Sequence, residues 1–399
     1  MYKIVLLILV LIVFTPSVSA NSVCKKNKLN KPHYSLIIDA GSSGSRIYIY
    51  HIKPNTTEGL PIIKLISQKK VEPGISTFEM HPDSILTLMG TLLSFAESEI
   101  DSAHWKETKL YLMATAGMRL VEKKQQKITI ATLTSFFKIN SEFNFEKAVI
   151  LSGQYEGLYA WSALNYLDDS FNPLTARESM LEMGGASTQI AFIAEKSKKD
   201  KHVLYRSYGG KSYAIFAKSY LQMGQDRAQE LAAVPACYPE GYLLVDDIAG
   251  TGDFTECSEE IKRIFNEICD SLDIADSLFK SNFQANTENE FVAIAAFYYT
   301  FDFLKFKDTV ALDALHSIGE NFCDKTWDEL KSEYPKENES RLKSYCFNAS
   351  YFWTLLRQEY GFNKTAVIRT DIEIDSVEIS WTLGAVIDLE MGYEPQKHK

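Results

Sequence analysis

The stretch "IIDAGSSGSRIYIY", residues 37–50, sets one carboxylate, Asp39, between an apolar run and a cluster of glycines and small hydroxyl residues, then alternates Ile47, Tyr48, Ile49, Tyr50. An apolar run, a Gly/Ser turn and an alternating run predict a β-hairpin with its turn at "GSSGS". The arrangement returns at "SMLEMGGASTQIAFIA", residues 179–194, where Glu182 aligns with Asp39, Gly184 with Gly41 and Ala186 with Ser43. The two units lie 143 residues apart (182 against 39). Each carries a carboxylate and a small-residue turn in a strand–turn–strand setting, so together they predict a duplicated fold with two facing loops.

Length and composition agree with that reading. A chain of 399 residues has the size of two domains. Hydrophobic content of 46% with 24% charge belongs to a globular protein, and a net charge of -10 argues against gripping nucleic acid through a broad basic surface. The first residues, "MYKIVLLILVLIVFTPSVSA", combine a lysine, an uncharged apolar run from Ile4 to Phe14 and the small-x-small pattern Val18-Ser19-Ala20. This predicts a signal peptide over residues 1–20, cut after Ala20. The alternative is an uncleaved anchor, but the run is short of the roughly 20 residues a bilayer span needs. No second segment is long and apolar enough to span. The expectation is an exported protein with no stable membrane anchor after cleavage: secreted or periplasmic, or in a secretory lumen if eukaryotic. There Asn55-Thr56-Thr57 and Asn348-Ala349-Ser350 are sequons. Cys24, Cys237, Cys257, Cys269, Cys323 and Cys346 form an even set, which in an exported chain predicts disulfides. Cys323 with Cys346 is the preferred pair, and the other four stay open.

Helical spacing predicts helices over 83–99, 122–137 and from "QYEGLYAWSALNYL" onward, the last carrying Glu156, Trp161 and Asn165. "KLYLMATAGMRL" and "KAVILSG" read as buried strands ending in small-residue turns. The segment between the first hairpin and residue 83 reads as a polar connection. Residues 212–347 read as mostly helical, with "ENEFVAIAAFYYTFDFLKF" the densest aromatic helix, and "IEIDSVEISWTLGAVIDLEMG" as a strand, a turn and a final helix.

Glycine- and serine-rich turns expose successive backbone N–H groups that converge on an anion. A carboxylate in such a loop repels phosphate unless a cation stands between, so Asp39 and Glu182 fit ligands to Mg²⁺ or Ca²⁺, directly or through water. The bland alternative for Asp39 is a turn residue bonded to its own backbone. Glu156, lifted by Ser152-Gly153, fits a general base for water, against the alternative of complementing the helix dipole. Ser187, Thr188 and Gln189 offer groups to hold that water. Arg46, Thr115 and Arg119 offer contacts to phosphate oxygens, Arg119 alone also reading as a solvated helix-start residue. The histidines show no metal spacing, and neither G-x-S-x-G nor a GK[ST] ending occurs. Direct attack by water is favoured over covalent catalysis.

With those residues in hand, the chain resembles the ecto-nucleoside triphosphate diphosphohydrolases, the apyrase and guanosine diphosphatase family, and within it the short soluble secreted forms. Five segments in order carry the resemblance: "DAGSSGSRIYIY", "YLMATAGMRL", "VILSGQYEGLYAWSALNYL", "LEMGGASTQIAF" and "ISWTLGAVI". It implies an α/β fold of two actin-like (ribonuclease-H-like) domains with the active site in the cleft between them. Domain I would span 33–165 plus 384–396, and domain II 166–383. It implies hydrolysis of nucleoside tri- and diphosphates to the monophosphate, dependent on Ca²⁺ or Mg²⁺. Glu156 would be the base, and Ser187 and Gln189 would position the water. Ser43, Gly44, Ser45, Arg46, Gly185 and Ala186 would bind phosphates, supported by Thr115 and Arg119. Asp39 and Glu182 would hold the metal through water, and Trp161, Asn165 and Trp381 would support the site. Tyr298 or Tyr299, with Arg341, would hold the base. Glu182 departs from the family's usual aspartate and reaches one methylene further. Rival readings are an exopolyphosphatase, a sugar kinase, or a nucleotide-binding module without turnover.

Overall fold

The structure is a computed structural model that describes residues 31–55, 59–78, 80–171, 178–194, 200–271 and 290–398, without the side chains of 268–271. The signal-peptide segment, Cys24, the Cys269 side chain and Thr56-Thr57 of the first sequon lie outside the described residues.

In chain order the first half holds β1 (His33–Ala40), β2 (Ser45–Lys53), β3 (Ile62–Val71), α1 (Pro82–Glu99), β4 (Lys109–Ala114), α2 (Ala116–Arg119), α3 (Lys123–Asn140), β5 (Asn144–Ile150) and α4 (Gly153–Leu167). The second holds β6 (Ser179–Met183), β7 (Ser187–Ile193), β8 (Val203–Tyr208), β9 (Lys211–Leu221), α5 (Gln225–Leu231), α6 (Phe254–Ser271), β10 (Phe291–Ala295), α7 (Ala296–Phe303) and β11 (Thr309–Ala311). There follow α8 (Leu312–Cys323), α9 (Trp327–Glu333), α10 (Glu339–Leu342), α11 (Tyr345–Thr354), β12 (Val367–Thr370), β13 (Glu373–Ile374), β14 (Val377–Glu378) and α12 (Trp381–Glu390).

One sheet runs β3-β2-β1-β4-β5, and the centre of the other runs β9-β7-β6-β10-β12, with β8 and β11 added at its edges. In each, a hairpin pairs its two strands antiparallel and its first strand pairs parallel with a later one. The duplication holds to the residue. Asp39 faces Arg46 across β1 and β2, Glu182 faces Gln189 across β6 and β7, and both members are displaced by the same 143 positions.

The continuous apolar run in β1 follows from burial on both faces. Leu36, Ile38 and Ala40 meet α1 and α3 residues such as Met89, Leu92 and Phe137 on one side. Ile37, with Tyr48 and Tyr50, joins the opposite core, which α4 and α12 fill and which continues to Met180, Ile215 and Val292 of the second sheet. The outer face of that sheet, with Leu181, Ile190 and Phe192, packs on Phe297, Phe301 and Phe352 of the C-terminal helices. The layers are therefore helix, sheet, helix, sheet, helix, with α4 and α12 shared by the two sheets. Their approach is close: a Cβ on Gly384 would stand 1.9 Å from the Tyr159 carbonyl oxygen.

Several expectations change. The polar connection contains β3, whose edge position exposes Ile62 and Ile66 and blurs the hydrophobic signal. Residues 211–221 form β9, not a helix. The aromatic segment is not one helix. Residues 291–295 pair parallel with β6, and Ala295, at φ 60°, turns the chain into α7. Local helix propensity yields there to tertiary strand pairing. "TAGMR" is a short helix, not a turn. Cys323 pairs with Cys346 as preferred, and Cys237 with Cys257. Asn348 of the second sequon is buried in α11 and donates to Thr300 Oγ1 at 3.3 Å, so a glycan has no room on it.

Candidate active site

The turn after β1 and the turn after β6 face one another. A Cβ on Gly185 would come within 3.2 Å of Ser42 Oγ and 2.5 Å of Asp226 Oδ2, so the loops approach as closely as two small residues allow. The segment after β9 braces the second loop: the N–H groups of Gln222, Gln225 and Arg227 donate to the carbonyls of Ala186, Gly184 and Gly185. Those bonds hold the second loop in place through its carbonyls. Gly74 and Gly117 close on Ser42 from behind the first loop, where a Cβ would stand 2.4 Å from the Ser42 carbonyl oxygen and 2.7 Å from its Cα.

Between the loops lies a cavity of about 330 Å³. Its walls include Asp39, Glu156 and Glu182, and also Ser43, Gly44, Ser45, Arg46, Thr115, Gly185, Ala186 and Ser187 from the sequence-derived set. Arg119 and Gln189 are absent from the wall and lie beneath it. Arg119 is buried and not a solvated helix-start residue. Its Nη2 stands 2.7 Å from Glu156 Oε2 yet aims its hydrogen bond at Ser187 Oγ, 3.0 Å away, while Nη1 donates to the Leu151 carbonyl. The contact with Glu156 is thus an ion pair without an aligned hydrogen bond. Gln189 Nε2 donates to Ser187 Oγ at 2.7 Å and to Ser219 Oγ at 3.1 Å. With two donors filling the acceptor sites of Ser187 Oγ, its own hydrogen is left to donate into the cavity.

Among the described residues, three buried carboxyl oxygens have no hydrogen-bond partner: Asp39 Oδ1, Glu182 Oε2 and Glu156 Oε2, the last ion-paired with Arg119. Orphaned buried charge is costly. Burial first, and then the Glu156 carboxylate, push Asp39 up to about 7, with Arg46 and Trp381 opposing. Burial, Glu156 and Asp39 hold Glu182 well above the ordinary carboxylate range. A divalent cation would relieve Asp39 and Glu182. Among the described residues no group of three or more His, Cys, Asp or Glu is placed to hold a metal ion by itself, so such a cation would need further oxygen ligands besides Asp39 and Glu182.

Trp161 and Asn165 point away from this chemistry. Trp161 Nε1 and Asn165 Nδ2 donate to the Glu178 carbonyl at 2.8 and 3.1 Å, and Asn165 Oδ1 accepts from the Glu178 N–H, so together they anchor the start of β6 on α4. Trp381, at the start of α12, lines the cavity.

A second cavity of about 510 Å³ contains both Tyr299 and Arg341. Tyr298 is absent from its wall and instead has Asp302, Asp371 and Glu373 as its charged neighbours. Asp226 lines the second cavity while touching the Gly185 loop, and so links the two. Sequence reasoning missed Ser219, Asp226, Lys70 and Glu378; none lies in the hairpin motifs, and only tertiary contact brings them to the site.

The family model described as "GDA1/CD39 (nucleoside phosphatase) family" matches residues 25–398. The chain belongs to this family. Within the GDA1/CD39 comparison, it is 29% identical to ectonucleoside triphosphate diphosphohydrolase 1 of Rattus norvegicus over 423 residues, covering 90% of this chain and 82% of that protein. It is 28% identical to probable apyrase 4 of Arabidopsis thaliana, covering 91% and 80%. Its fold resembles that of nucleoside triphosphate hydrolases from Neospora caninum, with TM-score 0.64, 15% identity and coverage of 90% and 92%. The Aquifex aeolicus Ppx/GppA family member gives TM-score 0.56 at 14% identity, covering 90% and 98%, and shares the fold alone. The two hairpin loops of this GDA1/CD39 chain thus belong to an α/β architecture that these solved structures share.

Proposed function

We propose that this protein hydrolyses nucleoside 5'-triphosphates and diphosphates to the monophosphate plus phosphate, with a divalent cation bound in the cavity. The observation that carries the reading is the pair of buried, unpartnered carboxyl oxygens on Asp39 and Glu182, with the Arg119-paired Glu156 beside them, between two opposed glycine loops. Phosphate oxygens and a cation together match that lining, since the loops offer N–H groups and the carboxylates offer negative charge.

In the proposed mechanism the Gly41–Arg46 turn and the Gly184–Ala186 turn hold the terminal and adjacent phosphates, with Thr115 beside them. Ser187 donates to the group in the reacting position, and Gln189 and Arg119 fix the Ser187 hydroxyl. Glu156 takes a proton from the attacking water as its oxygen bonds to the terminal phosphorus. The bond from that phosphorus to the bridging oxygen breaks, and the shortened nucleotide leaves with the bond pair. Mg²⁺ or Ca²⁺, held through water by Asp39 and Glu182, would offset charge on the phosphoryl oxygens. Tyr299 and Arg341 would take the base between them. That aromatic pocket favours a nucleotide over inorganic polyphosphate, which has no base to stack. The division into residues 33–165 plus 384–396 and 166–383 would let the loops approach or separate around the substrate. The homologues named as ecto-enzymes support export, and no helix of the described residues is long and apolar enough to cross a membrane.

The test is release of free phosphate from ATP, ADP, GTP and UDP by the wild-type protein, with and without a chelator of divalent cations. Absence of release from all four in the presence of Mg²⁺ or Ca²⁺ overturns the reading.

A further inference from the structure

Arg46 lines the cavity with one guanidinium nitrogen already engaged. Its Nη1 donates to Glu378 Oε1 at 3.3 Å and to Tyr48 OH at 3.2 Å, and Glu378 Oε2 accepts from Gln68 Nε2 at 3.2 Å. Glu378 comes from β14, on the chain segment that runs from the second sheet to α12, and lies far in sequence from both hairpin loops. It lines the phosphate cavity, and it also lines a neighbouring cavity of about 530 Å³ together with Tyr299, Arg46 and Gln68. Glu378 therefore stands between the phosphate cavity and Tyr299. The other lysine or arginine of the cavity wall, Lys70, is likewise paired, with Glu72 Oε1 at 2.5 Å.

We propose that Glu378 is a specificity-determining residue, which occupies Arg46 until a phosphate displaces it and sets the preference between nucleoside tri- and diphosphates. The proposal rests on the reading of the cavity as a nucleotide phosphate site. In either substrate the terminal phosphate occupies the reacting position beside Glu156. A triphosphate then has one more phosphate on the side towards Tyr299, next to Glu378, so the Glu378 carboxylate opposes the longer chain more than the shorter one. The Arg46–Glu378 pair is about a third exposed on both sides, and such a pair is weak enough for a phosphate to break. Charge placed at the mouth of a binding site acts chiefly on discrimination and association.

The experiment measures kcat/KM for ATP and ADP with wild-type protein, Glu378→Gln, Glu378→Ala, Arg46→Gln and the Glu378→Gln/Arg46→Gln pair. Glu378→Gln and Glu378→Ala are expected to raise the ATP-to-ADP ratio of kcat/KM by about 3- to 10-fold. Part of the gain should persist when Arg46 is also replaced, since the Glu378 carboxylate repels the added phosphate directly. A structural disturbance would lower both substrates together and leave the ratio in place. An unchanged or reduced ratio in both Glu378 variants, with wild-type turnover intact, overturns this proposal and leaves the hydrolase reading standing. Wild-type protein that turns over neither nucleotide removes the hydrolase reading and this proposal with it.

Discussion

Arg119 Nη2 stands 2.7 Å from Glu156 Oε2, with both side chains buried, so the candidate base and its neighbouring cation are held as one unit. Replacing Glu156 by Gln keeps the shape of that unit and removes the proton acceptor. Turnover of ATP and GTP is expected to fall by about 10² to 10⁴. The variant should still fold, because Arg119 keeps its bonds to Ser187 and Leu151. Phosphate release and circular dichroism check the two halves, and near wild-type turnover would remove Glu156 from the mechanism.

The elevated Asp39 and Glu182 carboxyls make the cation-free protein sensitive to pH. Both are raised above their ordinary values, so their contribution to stability is complete below the usual carboxylate range and is lost as pH rises, for Asp39 through about 7. In chelator the thermal midpoint is expected to be lower at pH 8 than at pH 5. Adding Mg²⁺ or Ca²⁺ should raise it more at pH 8, where Asp39 is ionised, than at pH 5. A cation effect of equal size at both values would count against Asp39 as a holder.

Tyr299 and Arg341 share a pocket that Tyr298 does not line. Tyr299→Ala and Arg341→Ala are each expected to raise KM for ATP by about 3- to 30-fold, the range of a single cation–π or stacking contact. Tyr298→Ala should leave KM within about twofold on the same contact argument. Steady-state kinetics on the three variants distinguish the two tyrosines, and a reversed order would move the base elsewhere.

Gly384 lets α12 lie against the Tyr159 carbonyl of α4, in the layer common to both sheets. Gly384→Ala forces the helices apart and is expected to cost about 1–3 kcal/mol or more, as overpacking does. Denaturant unfolding measures it. A midpoint equal to wild type would mean that α12 shifts freely, which the shared core argues against.

The hairpins were legible because their information is local. In each, a carboxylate, a small-residue turn and an alternating strand occupy one short stretch, and both repeat in one register. The cavity-lining residues inside those motifs were legible for the same reason. Tertiary structure decided the rest. Residues 291–295 became a strand because β6 offers a parallel partner, which their aromatic continuation concealed. Arg119 became the brace of Glu156 and Ser187 because α2 lies beneath the second hairpin, a contact across 68 residues of sequence. Glu378 reached Arg46 across 332 residues. The sequence by itself determined two hairpins with small-residue turns, each with its carboxylate, since turn chemistry and strand periodicity are properties of neighbouring residues. Only the tertiary structure decided that the loops face one another, which carboxyl oxygens lose their partners, and which cations are already taken. Those outcomes depend on distances between segments that no local pattern encodes.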